Sequence, residues 1–244
     1  MPVAILTGAS RGLGLALAHG LAEQGWSLVI DARGADALDA AAVALAAHGH
    51  PVTALAGDVT SPQHRAALLA AAQELGGPDL LVNNAGILGP SPQPPIASYP
   101  LGVLRDVIEA NLLAPICLIQ LCLPDLREHG GAVLNVTSDA AVEPYEGWGG
   151  YGLAKAAVEQ ASAILAAEEP TVRVWWVDPG DLRTEMHQQA FPGEDISDRP
   201  LPEEAVPGFV RLIGDRLPSG RYRAAELRSS PAGQAGAPRT EVPA

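Results

Sequence analysis

Residues 3–14 read Val-Ala-Ile-Leu-Thr-Gly-Ala-Ser-Arg-Gly-Leu-Gly, "VAILTGASRGLG". A short unbroken apolar run that stops at a glycine has the pattern of a strand buried on both faces. Glycines at 8, 12 and 14 allow a tight turn, and the apolar periodicity that follows predicts a helix from about Gly12 to Gln24. The same unit recurs along the chain. "SLVID" (27–31), "VTALAGD" (52–58), "DLLVNNAG" (79–86), "AVLNVTS" (132–138) and "VRVWWVDPG" (172–180) read as further strands. Between them run an Ala-rich helix through His48, helices at about 61–75 and 101–126, and one from about Gly149 to Glu168. Continuous apolar strands alternating with helices imply parallel strands joined by right-handed crossovers. The predicted fold is α/β, a single doubly wound parallel sheet with helices on both faces.

Ligands of such a sheet sit beyond the carboxyl ends of its strands, so the residues just after each strand carry the chemistry. The turn after the first strand delivers the chain to a helix N-terminus, whose amides and positive dipole suit a pyrophosphate. Gly8, Gly12 and Gly14 permit the turn, a close backbone approach to the phosphates, and close helix–strand packing. A second stretch, "YGLAK" (151–155), holds the only lysine of the chain, Lys155, among 15 basic residues. Residues four apart share a helix face, so Tyr151 and Lys155 project side by side. A phenol with an ordinary pKa of about 10 is a poor acid–base catalyst near neutrality. A nearby ammonium is expected to lower it. Lysine is a compact point charge with three rotatable donors, which arginine's planar fork would not replace equivalently.

The formal charge of −13 argues against nucleic acid and anionic membranes as partners. No uninterrupted apolar run is long enough to cross a bilayer, and the N-terminus has no signal-peptide pattern. Cys117 and Cys122 do not share a helix face and are expected to be buried free thiols, which suits a reducing compartment. A cytoplasmic protein is the expectation. The six histidines form no metal-ligand pattern, and there is no Gly-x-Ser-x-Gly nucleophile motif. Residues 185–207, rich in proline and acidic residues, read as a lid over a site. "SGRYRAAEL" (219–227) reads as a last strand closing a domain of residues 1–227. The tail, 228–244, has the composition of disorder.

The spacing Gly-x-x-x-Gly-x-Gly, followed in order by "DV" (58–59), "NNAG" (83–86), Asn111, Ser138, Tyr151-x-x-x-Lys155, "DPG" (178–180) and Thr184, resembles the short-chain dehydrogenase/reductase family over residues 2–185. The resemblance implies a Rossmann-type fold and an oxidoreductase that moves hydride between a nicotinamide cofactor and a carbonyl or alcohol. It implies that Ser138 orients the substrate oxygen, that Tyr151 donates or removes the proton, and that Lys155 and a water held by Asn111 continue the relay. The cofactor set it implies is Gly8, Ser10, Arg11, Gly12, Leu13 and Gly14 in the turn, Asp58 and Val59 at the adenine, and Asn84, Ala85 and Gly86 after the fourth strand. Tyr151 and Lys155 join that set, as do Pro179, Gly180 and Thr184 near the nicotinamide. Relatives commonly pair through the helices flanking the fifth strand, so a homodimer or homotetramer is expected.

The position that selects NAD in this family falls on Ala32, and Arg33 follows it. Arg11 adds a second cation near an adenosine 2′-phosphate. Asp31, one residue earlier, should point to the opposite face of its strand. NADP(H) is therefore the expected cofactor and NAD(H) the alternative. Two departures from the family pattern stand out. Residues 146–152, "EGWGGYG", are unusually glycine-rich and read as the flexible end of a substrate loop, with Trp148 as a lining residue or a core one. The Asp-Gly-Gly ending after the last strand is missing. The function implied is reduction of a ketone or aldehyde, or oxidation of the alcohol; the alternatives are an NAD-dependent alcohol dehydrogenase and a non-catalytic dinucleotide sensor.

Overall fold

The computed structural model describes residues 1–229. Seven parallel strands form one sheet in the order β3-β2-β1-β4-β5-β6-β7. They are β1 (Val3–Leu6), β2 (Ser27–Ala32), β3 (Val52–Ala56), β4 (Leu80–Asn83), β5 (Ala132–Val136), β6 (Arg173–Asp178) and β7 (Gly220–Arg223). The order reverses between β1 and β4, which opens a crevice at their carboxyl ends where ligands of such sheets bind. Strands β1, β4 and β5 are buried along their whole length, as their unbroken apolar runs predict.

Helices cover both faces. On one face lie α1 (Gly12–Glu23), α2 (Ala35–Ala46) and α8 (Val206–Gly214), packed on Leu6, Ile30, Val82, Leu134 and Trp175. On the other lie α3 (Pro62–Glu74), α5 (Ala114–His129) and α6 (Gly149–Glu168), packed on Ile5, Val29, Leu81, Val133 and Val174. Trp175 is fully buried, and its indole N–H donates to the Leu217 carbonyl at 2.9 Å, so the largest core side chain leaves no unpaired donor.

Helix α8 is absent from the sequence reading, which ran the lid through residue 207 and found no element beyond it before residue 219. Pro207 sits in the first turn, where its missing N–H costs nothing. Phe209 and Leu212 are fully buried in the α1 layer. Gly20 of α1 makes the close approach possible, since a Cβ there would lie 2.4 Å from Val206 Cγ1. The lid region itself contains a short α-helix, α7 (Glu185–Ala190), and a 3-10 turn at Pro202–Glu204. The last expected strand is present as β7, and α9 (Ala224–Ser229) follows it. The expected disordered tail begins on α9, and its remainder, 230–244, lies outside the described residues.

The helix predicted over 101–126 is one 29-residue helical run, Leu101–His129, made of α4 (Leu101–Ile108), a π-helical segment Glu109–Leu113 and α5. By length and composition alone it could cross a membrane. In the fold its stripe of Leu118, Ile119, Cys122 and Leu126 is buried against the sheet, as in a core helix. Of the two thiols only Cys122 is buried, and burial, with a smaller push from Asp125, raises it to about 12; Cys117 is half-buried.

Candidate active site

The first wall of the crevice is the glycine turn. Gly8 and Gly12 adopt left-handed φ values of 69° and 55°, which a side chain would strain. Gly14 has a different reason to be glycine: a Cβ there would lie 2.1 Å from the Gly8 carbonyl oxygen. The threonine and asparagine flanking the turn hold it in shape. Thr7 Oγ1 accepts the amides of Asn84 and Ala85, each at 3.0 Å. The Asn84 side chain donates back to the carbonyls of Thr7 (2.9 Å) and Gly8 (3.1 Å). Asn84 and Ala85 thus brace the turn from β4. Ser10 is half-buried within the turn, and Leu13 is a core residue of α1.

A buried carboxylate, weighed in the sequence only for its bearing on NAD against NADP, completes the brace. Asp31, at the end of β2 and 2% exposed, accepts the Gly8 amide at 2.7 Å and pairs with His64 Nε2 at 3.0 Å. It points under the turn, away from the surface where Arg33 lies exposed after β2. Arg33 is close enough to Asp58 to help hold that carboxyl below its ordinary range, after the larger effect of the Thr60 backbone amide. Asp58 Oδ1 accepts from that amide (2.9 Å) and from the Thr60 hydroxyl (2.8 Å), and the Val59 carbonyl accepts from buried Arg65 at 2.8 Å. These contacts fix the β3 exit. The exposed guanidinium of Arg11 pairs with Glu185 at the start of α7.

The second wall carries the acid–base residues. Tyr151 and Lys155 are both buried on α6. The ammonium lies 5.5 Å from the centre of the phenol ring and donates to the Val136 carbonyl at 2.7 Å. Burial lowers Lys155 to about 8, against a smaller upward pull from Glu159. The expectation that the ammonium lowers the phenol does not hold in this chain by itself. Burial raises Tyr151 well above its ordinary value, and the carboxylates of Asp178 and Asp139 raise it further. Desolvation dominates because a phenolate buried here would lose its water.

Ser138, after β5, is half-buried; its hydroxyl donates to Asp139 Oδ1 at 2.9 Å and accepts the Ala140 amide at 3.2 Å. Asn111 lies in the π-helical segment, a distortion that often marks functional sites. Both ends of its amide are committed to Ile87: Oδ1 accepts the amide and Nδ2 donates to the carbonyl, each at 2.8 Å. Its side chain therefore clamps the backbone after Gly86, and a relay water at this residue would use the second N–H or the second lone pair of the amide.

The glycines on either side of Tyr151, Gly150 and Gly152, are close-packed. They open α6, and Cβ atoms at Gly150 and Gly152 would lie 2.3 Å from the Tyr99 ring and 2.6 Å from the Ala140 carbonyl. Their absence of side chain lets α6 carry Tyr151 up to the loop of Ser138. Trp148 stacks edge-on against Tyr145 and Tyr151 and meets Phe191 of the lid at 6.0 Å, so it lines the mouth. Pro179 and Gly180 follow β6, with Gly180 left-handed and its amide held by Asp178 at 2.9 Å; Thr184 caps α7 and faces Gly12. Arg221 of β7 was unforeseen. It pairs with Glu159 at 2.9 Å, lies 3.5 Å from Asp178, and donates to the Ser138 carbonyl at 3.2 Å. In place of the missing Asp-Gly-Gly ending, this arginine ties the last strand to the site.

A doubly wound sheet with a glycine turn at its switch point and a buried tyrosine–lysine pair across the crevice defines a nicotinamide-linked oxidoreductase. The chain belongs to the short-chain dehydrogenase family, whose sequence description matches residues 2–195. It is 37% identical to the sepiapterin reductase of Meriones unguiculatus over 201 residues, 77% of each chain. Among solved structures it resembles a short-chain dehydrogenase from Pseudomonas syringae (TM-score 0.86, 29% identity, 91% of this chain and 94% of that one). It also resembles the alcohol dehydrogenase of Thermococcus sibiricus solved with 5-hydroxy-NADP (TM-score 0.83, 28% identity, 91% and 95%).

Proposed function

We propose that this enzyme reduces a ketone or aldehyde with NADPH, using Tyr151 as the general acid. The observation that carries the reading is the placement of Tyr151: a buried phenol on α6, across the crevice from the glycine turn, with the Lys155 ammonium 5.5 Å from its ring to resupply a proton it gives up. The residues present fit a dinucleotide. The N-terminus of α1 has no side-chain cap, so its first amides are available to a pyrophosphate. A Cβ at Gly180 would meet nothing within 4 Å, so the chain leaves open space where a nicotinamide is expected. Gly8, Ser10, Gly12, Leu13 and Gly14 would form the phosphate cradle, with Asp58 and Val59 at the adenine and Ala85, Gly86, Pro179, Gly180 and Thr184 along the ring side.

Bound there, the cofactor supplies the hydride. Ser138 and Tyr151 hold the substrate oxygen, and the phenol proton passes to it as charge develops. Lys155 then restores that proton from its buried position, where a value of about 8 makes it a ready donor near neutrality. NADP over NAD follows from Arg33, exposed beside Asp58, and from Asp31 being turned inward onto Gly8 and His64. The dinucleotide in the Thermococcus sibiricus structure is of the same class.

The test follows NADPH consumption across a panel of ketones and aldehydes that includes sepiapterin, the compound named by the rodent relatives. Turnover of at least one carbonyl with NADPH supports the reading, and NADPH binding without turnover of any would favour a dinucleotide sensor. Arg33→Ala should weaken NADPH by about tenfold or more, the worth of one charge-assisted phosphate contact, and leave NADH affinity unchanged. Fluorescence titration of both nucleotides measures it. An equal loss for both would show that Arg33 does not read the 2′-phosphate.

A further inference from the structure

Ser138 has one hydroxyl proton, and in this structure it is given away. The acceptor is Asp139 Oδ1 at 2.9 Å, which also accepts the Ala140 amide at 2.8 Å; the other oxygen, Oδ2, accepts the Tyr145 hydroxyl at 2.9 Å. A carboxylate can only accept, so the direction of the Ser138 bond is fixed. The Ala140 amide occupies one lone pair of Ser138 Oγ. What remains toward the crevice is a lone pair, an acceptor, whereas a carbonyl oxygen needs donors. We propose that Asp139 is a positioning residue that withholds the Ser138 proton from the reacting oxygen, so that Ser138 assists reduction only after leaving Asp139. The proposal rests on the reading of Ser138 and Tyr151 given above.

The arrangement divides the labour at the site. Tyr151 meets an incoming carbonyl as the one ready donor, and Ser138 joins when the growing negative charge on the oxygen outcompetes the carboxylate. Asp139 also ties Tyr145 to the start of the loop that carries Trp148, so it has a structural duty that must be separated from this one. Three substitutions separate them. Asp139→Ala removes all three bonds that the carboxylate accepts. Asp139→Asn keeps an oxygen for Ser138 but without the charge. Tyr145→Phe removes only the loop anchor.

The experiment measures kcat and KM for NADPH-dependent reduction of 1-phenylpropane-1,2-dione, and of the best carbonyl from the panel, with the full-length protein and each variant. Freeing a hydroxyl from a charged acceptor should raise kcat roughly three- to tenfold in Asp139→Ala, with a smaller rise in Asp139→Asn. Tyr145→Phe should leave kcat at the wild-type value and change KM alone. A fall in kcat for Asp139→Ala that Tyr145→Phe matches would overturn the proposal, because the carboxylate would then matter only as a loop anchor. An inert wild-type protein that still binds NADPH would overturn the functional reading and this proposal together. An active wild type with a slowed Asp139→Ala overturns the proposal alone.

Discussion

Tyr151→Phe is expected to lower kcat by about 10²- to 10⁴-fold, the usual contribution of a positioned general acid, while NADPH affinity stays within about twofold of wild type. The substitution deletes one oxygen from a buried ring and leaves the stacking on Trp148 in place. Pre-steady-state reduction with saturating NADPH isolates the chemical step from binding. A loss confined to KM would mean that the phenol merely helps hold substrate. Lys155→Met provides the companion measurement. Burial lowers the ammonium from an unfolded value of about 10.5 to about 8. Between those values the unfolded chain binds the extra proton, so stability contributed by this group rises with pH there and is reduced below about 8. An apolar replacement escapes that penalty. Lys155→Met should therefore lose turnover and yet melt no earlier than wild type at neutral pH, which thermal unfolding would check.

The second large effect lies outside the acid–base residues. Asp31→Ala should destabilise the fold by about 2–4 kcal/mol, because it strands the Gly8 amide and His64 among buried groups. It should also loosen the phosphate turn and weaken NADPH and NADH equally. Asp31→Asn keeps an acceptor for Gly8 and should retain most of the stability. Denaturant unfolding, with nucleotide titration on the folded variants, measures both. If Asp31→Ala weakened NADH while strengthening NADPH, the carboxylate would be facing the ribose and the present assignment of Arg33 would be inverted.

Much of this was legible in the sequence because the signals are local. The strand–turn–helix pattern at 3–14 fixes β1 and α1, since continuous apolar runs and glycine punctuation report burial and turns directly. Tyr151 and Lys155 could be paired from their spacing, since four residues on a helix share a face. What stayed hidden depends on contacts across the sheet. Asp31 and His64 are 33 positions apart. Arg221 of β7 meets Glu159 of α6 and Ser138 just after β5, residues 62 and 83 positions away that only the fold brings together. The bond between Ser138 and Asp139 joins neighbours, but motif reading looks at Ser138 and passes over the residue beside it. The glycines at 150 and 152 were misread for a related reason: flexibility and close packing call for the same residue, and only the positions of Tyr99 and Ala140 tell them apart. Helix α8 stayed hidden because the proline and acidic content of 185–207 reads as a lid, although Pro207 suits the first turn of a helix and Gly208 lets that helix press against Ala224.

The central claim is that this fold binds NADPH and holds Tyr151 ready to protonate a carbonyl. Its most direct test is the transfer of deuterium from NADPH labelled at the nicotinamide C4 to a carbonyl substrate, with wild type and Tyr151→Phe side by side. The expected result is an alcohol carrying one deuterium on the former carbonyl carbon, formed readily by wild type and at least about 10²-fold more slowly by the variant. Labelled NADPH that binds to wild type and returns no deuterated product with any carbonyl, or a variant as fast as wild type, would contradict it.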